Sequence, residues 1–174
     1  MNAEAADLRT ALVDVRQRLL EAIAGVSEEQ FKKRPPALGD VASPGWCIAE
    51  VLAHLLQQER LRASRVGLAL QQDGVVIIPG TDEEHYEAAR AGRASPVPQL
   101  IHGLLASRRE VERLLDRAEA EDGLERRTMH PRLGPQSIAW ILRTKVVEHE
   151  AEHIAQIEAV KAALAAAAQD AGRP

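Results

Sequence analysis

From Glu4 to about Gly25, apolar residues return every three or four positions, at Leu8, Leu12, Val15, Leu19 and Ile23, and Gly25 supplies a C-terminal stop. That period is the signature of an amphipathic helix. It recurs from about Gly45 to Gln71 through Ile48, Leu52, Leu55, Leu56, Val66 and Leu70, where Ser43-Pro44 reads as an N-cap followed by a first-turn proline. A third run covers about Val97 to Ala120 through Leu100, Leu104, Val111, Leu114 and Leu115. A fourth covers about Pro135 to Ala168 through Ile138, Leu142, Val146 and Ile157, with a tail expected to fray from about Ala165. The pattern predicts four long helices.

The stretches between them differ in length. Ser27-Glu28-Glu29-Gln30 is a capping-box sequence, but it runs into Arg34-Pro35-Pro36 and supports only a short turn. Between Asp73 and Pro96 the chain carries an apolar Val75-Val76-Ile77-Ile78 bracketed by Asp73-Gly74 and Pro79-Gly80. Thr81-Asp82-Glu83-Glu84 then caps a short helix to Ala91. One long connection, between the second and third long helices, predicts an all-α four-helix bundle with a crossover rather than simple up-and-down winding. The 174 residues are expected to form one domain.

Composition sharpens this picture in a few places. Aromatic residues are only 2%, and β-branched residues rarely alternate with polar ones, which disfavours sandwiches and barrels. The net charge of −4 and charge-mixed runs such as Ser107 to Arg113 leave no basic footprint, so nucleic acid is not an expected partner. A single cysteine, Cys47, excludes an intrachain disulfide and fits a reducing compartment. No basic and apolar leader opens the chain, and no run reaches the roughly 18 apolar residues of a spanning helix. A cytoplasmic protein with no membrane partner is expected.

Candidate chemistry concentrates in the fourth helix. His149 and His153 stand one turn apart on one face, a spacing that can chelate a divalent ion. Val146, Leu142 and Ile138 precede them on that face, and Ile157, Val160 and Leu164 follow, so both occupy the apolar seam. Two buried imidazoles without partners cost a few kcal/mol, so a third polar group should face them. His54 is the candidate, because it shares an inward face of the second helix with Cys47, Val51 and Leu61. His85, His102 and His130 lie in less committed contexts. Three inward histidines favour a tris-histidine site for zinc, nickel or iron. Glu50, one turn before His54, and Gln156, three residues after His153, are candidates to orient an imidazole through its other nitrogen.

The run Pro44-Gly45-Trp46-Cys47-Ile48-Ala49-Glu50-Val51-Leu52-Ala53-His54, taken with His149-Glu150-Ala151-Glu152-His153-Ile154-Ala155-Gln156-Ile157, resembles the DinB/YfiT-like superfamily of bacterial metal-binding bundles. Met129-His130-Pro131-Arg132-Leu133-Gly134-Pro135 is similar to that family's lead-in to its fourth helix, so the resemblance extends from about Leu8 to Val160. It implies metal ligation by His54, His149 and His153. It also implies a metal-dependent enzyme, a thiol-dependent S-transferase using bacillithiol or mycothiol and an electrophilic substrate.

Other readings compete. Three histidines leave an open position that serves hydrolysis as well as thiol transfer. A non-catalytic metal or small-ligand module is the further alternative, with Glu50 as the natural fourth ligand. His149, Glu150 and His153 match the zinc-protease motif H-E-x-x-H, yet Gln156 and Ala159 stand where the longer motif needs glycine and histidine. Glu150 points about 100° away from His149 around the helix and is expected to be a surface acid. Cys47 lies two turns before His54, about 10 Å along the axis, too far to share its metal. Trp46 and Trp140 read as packing anchors. A second stripe of Trp140, Val147, Ala151 and Ile154 raises the expectation of a homodimer.

Overall fold

The computed structural model describes residues 2–36 and 45–171, and the four apolar stripes fold as four long helices. The chain runs α1 (Ala3–Ile23), α2 (Glu28–Lys32), α3 (Ile48–Gln71), β1 (Val75–Val76), α4 (Asp82–Gly92) and α5 (Val97–Ala120). It continues through β2 (Arg127–His130), β3 (Gly134–Ser137), α6 (Ile138–Trp140), a π-helical segment (Ile141–Glu148) and α7 (His149–Ala171). The last three are consecutive and form the fourth long helix. Around the bundle α1 packs on α5, α5 on α3, α3 on the π-helical segment and α7, and α7 back on α1. The crossover from α3 to α5 carries β1 and α4, with α4 laid against α3.

Local chemistry sets the helix starts. The Ser27 hydroxyl accepts from Gln30 N–H while the Gln30 side chain accepts from Ser27 N–H, closing the expected box at α2. Thr81 and Glu84 do the same at α4. The start of α3 differs from expectation: Ile48 is its first residue and Cys47 its N-cap. The Ser43-Pro44 cap lies outside the described residues.

The fourth helix also starts late. Pro135 to Ser137 belong to β3, which pairs antiparallel with β2, and Ser137 caps α6 by accepting from Trp140 N–H. Gly134, at φ +75°, allows the turn between these strands. β1 adds in parallel, Val75 beside Thr128 and Val76 beside Met129, giving the order β1-β2-β3. A small sheet therefore supplements the helical bundle. Its β1–β2 pairing joins residues remote in sequence, which local periodicity does not report, while β2 and β3 form a local hairpin. At the other end α7 remains helical to Ala171, beyond the expected limit near Ala168.

The core has two apolar halves. Leu19, Leu52, Leu104 and Ile157 belong to one, Leu8, Leu12, Val66, Val111 and Leu142 to the other. Between them lies a charged layer with one residue from each long helix: Arg16, Glu59, Arg108 and Glu150, all buried. Arg16 Nε donates to Glu150 Oε1 at 2.8 Å and its Nη2 to Glu59 Oε2 at 3.0 Å. Arg108 Nε donates to Glu59 Oε1 at 2.7 Å, and its Nη2 donates to Glu150. Leu104 and Leu12 carbonyls take further guanidinium hydrogens, and the Ser107 hydroxyl donates to Glu59. Two cations face two anions, so the layer is neutral.

Glu150 is therefore not the expected surface acid; it is 3% exposed. Rotation of 100° from the histidine face carries it into the bundle centre, because this helix is covered over more than one stripe. The second stripe is largely spent inside the same chain: Ile154 is buried, and Val147 and Ala151 pack on the core. Trp140 is exposed, with the Lys145 ammonium 5.2 Å from its ring centroid.

Candidate metal centre

His54 comes from α3, and His149 and His153 from the first two turns of α7. The i, i+4 spacing stacks the α7 pair on one face, and packing of α3 against α7 brings His54 to meet them. His149 Nε2 lies 3.4 Å from His54 Nε2 and 3.3 Å from His153 Nε2. One ring nitrogen from each residue lies within 4.8 Å of the other two.

Proton sharing does not satisfy this arrangement well. Two imidazole N–H groups cannot both donate to the single lone pair of His149 Nε2 in good geometry. Three lone pairs directed at one divalent ion can. The observed separations match the roughly 3.3 Å edge of a tetrahedron whose metal–nitrogen bonds are about 2.0–2.1 Å. Three neutral nitrogen donors are a set that zinc, nickel or iron accepts.

The surroundings keep these rings neutral. Burial, with His153 nearby, brings the His54 pKa down to about 3. Burial and the neighbouring His153 and His54 do the same to His149, also to about 3. Burial lowers His153 as well, against the opposing effect of the hydrogen bond it donates to Gln156. Gln156 Oε1 lies 2.6 Å from His153 Nδ1. An amide oxygen only accepts, so Nδ1 carries the proton and Nε2 is left with its lone pair toward the other histidines.

Glu50 is placed differently from the role suggested for it. Its buried carboxylate accepts from Arg34 Nη2 at 2.5 Å and from the Cys47 N–H at 2.8 Å. His54 Nδ1 is buried with no hydrogen-bond partner among the described residues, so Glu50 does not orient that ring here. The Arg34 guanidinium holds the Glu50 carboxyl below its ordinary pKa despite burial, which by itself pulls upward. Cys47 is fully buried, and burial raises its thiol pKa. Glu150 adjoins His149 in sequence, but two guanidiniums hold its carboxylate. That engagement removes it from the general-base role of a zinc protease.

Sequence reasoning missed the aromatic wall and the amide relay. The Trp46 ring lies 5.1 Å from the His54 ring and 5.8 Å from Tyr86, centroid to centroid. Arg62 Nη2 donates to Gln58 Oε1 at 2.8 Å, and the Gln58 amide approaches His85 Nδ1 at 3.0 Å. Gly92 makes this possible: a Cβ there would stand 2.2 Å from Ala53 Cβ, so only glycine lets α4 carry His85 and Tyr86 so near α3. The sequence signal was Gln58, four residues after His54 on the same face. His102 is exposed and apart from the site, and His130 is buried on β2.

Four long helices, a long crossover and three convergent histidines that could hold a metal ion define the architecture. Residues 11–157 match the DinB superfamily, and the chain belongs to that family. The fold is similar to that of YfiT from Bacillus subtilis, reported as a probable metal-dependent hydrolase with an unusual four-helix bundle topology. The TM-score is 0.73 and the identity 18%, over 95% of this chain and 90% of that one. At such identity the likeness concerns the fold. No curated protein matches the chain. Among the described residues, no helix is long and apolar enough to cross a membrane.

Proposed function

We propose that this chain is a metal-dependent enzyme in which His54, His149 and His153 hold a zinc, nickel or iron ion, and that it transfers a low-molecular-weight thiol, bacillithiol or mycothiol, to an electrophile. The observation that carries this reading is the convergence of three neutral imidazole nitrogens at 3.3 and 3.4 Å inside the bundle. A divalent ion bound there supplies Lewis acidity that makes a thiol a thiolate near neutral pH.

The chain's own residues supply the rest. Gln156 fixes the His153 tautomer from behind, which supports a second-sphere role. Trp46 packs beside the His54 ring, and the half-exposed Tyr86 packs in turn on Trp46, so the aromatic pair borders the His54 side of the site. In the reaction the thiol sulfur bonds to an electrophilic carbon, the leaving group departs with its electron pair, and the thiol proton passes to water.

Elemental analysis of untagged wild-type protein and His153→Ala tests the site. About one ion per chain in the wild type and loss in the variant is the expected result. No metal in the wild type, even after reconstitution, would overturn the assignment. Thiol consumption with a panel of electrophiles, above a His54→Ala control, tests the reaction. Hydrolysis is a second reading, favoured by the shared fold with YfiT. Ester or amide cleavage without thiol consumption selects it. A homodimer formed through the exposed Trp140 face is the remaining partner proposal, and light scattering at 19.0 kDa rejects it.

A further inference from the structure

Beside the histidines, two guanidiniums lie in the bundle without a counter-charge. Arg65 is 6% exposed, its Nε is buried without a partner, and it makes no ion pair among the described residues. Arg62 donates from Nη2 to the neutral Gln58, and its Nε is likewise buried without a partner. Both lie on the His54 face of α3, since positions 54, 58, 62 and 65 follow at helical spacing. Lys145, one turn before His149 in the facing π-helical segment, makes no ion pair among the described residues. Its contact is the Trp140 ring.

These cations converge on one junction. Arg65, Arg62 and Lys145 all lie near enough to His130 of β2 to add to the effect of burial in depressing its imidazole pKa. Burial and the neighbouring Arg65 bring Arg62 itself down to about 10. The Thr128 hydroxyl, on the same buried face of β2 as His130, is also unpartnered. Nearby carboxylates are committed elsewhere: Glu59 to Arg16 and Arg108, and Glu50 to Arg34.

A buried cation without an acceptor is costly, and an oxyanion removes the cost by accepting charge-assisted hydrogen bonds. The planar guanidinium fork fits a carboxylate in bidentate fashion. We propose that Arg62 and Arg65, with Lys145, form a subsite for the carboxylate of a small substrate whose reacting end lies at His54, His149 and His153. This rests on reading the histidine cluster as the reactive centre, and it names the substrate class: a carboxylate-bearing thiol or electrophile. Arg62 and Arg65 bind and orient; neither takes part in bond making.

Isothermal titration of the full chain with malate, and separately with inorganic phosphate, tests the subsite by binding rather than turnover. Wild type, Arg62→Met, Arg65→Met, Arg65→Lys and His153→Ala are compared. Saturable malate binding with a Kd of about 1 mM or tighter is expected, weakened about tenfold or more in each Met variant and partly restored in Arg65→Lys. His153→Ala keeps malate binding, because its side chain belongs to the histidine cluster; failure of the metal assignment is thereby distinguished from failure of the subsite. Arg65→Met melts at or above the wild-type temperature, since it removes an unpaired buried charge. Equal malate binding in the wild type and both Met variants overturns the proposal. Tighter binding of phosphate than of malate overturns the carboxylate assignment.

Discussion

The bundle buries two polar clusters, and they are resolved in opposite ways. In the charged layer Arg16, Glu59, Arg108 and Glu150 satisfy one another, with Ser107 and two backbone carbonyls taking the remaining bonds. At the histidine site His54 Nδ1, Arg62 Nε and Arg65 Nε stay buried with no partner. Desolvation penalises both clusters, but only the first is compensated from within the chain. Complete pairing marks a part of the architecture: one residue from each long helix fixes their mutual register. Incomplete pairing marks the place where, on the reading proposed above, a metal ion and a substrate carboxylate supply the missing partners.

That contrast can be tested by disturbing each side. Glu59→Gln removes one anion from the layer and leaves Arg16 and Arg108 short of charge. A loss of about 3–5 kcal/mol is expected, read as the shift of the urea midpoint at constant m. A change below about 1 kcal/mol would mean that water already screens the layer.

The second test is acid. His54 and His149 have folded pKa values of about 3, against roughly 6.5 in the unfolded chain. As pH falls the unfolded chain takes up their protons first, so their contribution to stability is complete above about pH 6.5 and is lost progressively toward pH 3. At pH 5 the metal-stripped protein should have lost about 2 kcal/mol per histidine relative to pH 7.5. Urea titrations across that range check this, and a flat profile would show the rings to be solvated.

The smallest effect is local. Gln156→Ala frees His153 Nδ1 from its 2.6 Å bond and should weaken metal affinity about tenfold, with little change in fold stability. Competition with a metal-sensitive chelator measures it. Unchanged affinity would reduce Gln156 to a bystander.

Much of the frame is legible in the sequence, because helical period and caps are local properties. α5 spans Val97–Ala120, as its apolar pattern indicates, and Thr81 caps α4 where its sequence places it. Pro135 illustrates the limit: its run reads as the start of a helix, but pairing of β3 with β2 outcompetes that local preference. Glu150 illustrates another. An acid beside a histidine face looks solvent-directed until Arg16 and Arg108 arrive from two other helices. The available signal was charge on seam positions: Arg16 between Leu12 and Leu19, and Arg108 between Leu104 and Val111.

By itself the sequence determined four amphipathic helices, a long crossover and a pair of histidines on one face, since each depends on residues within a turn or two. Tertiary structure decided the meeting of His54 with that pair, the commitment of Glu50 to Arg34 rather than to an imidazole, and the isolation of Arg62 and Arg65. These are properties of partners. Which buried charge finds a counter-charge depends on what neighbouring helices bring within hydrogen-bond reach, and only packing fixes that distance.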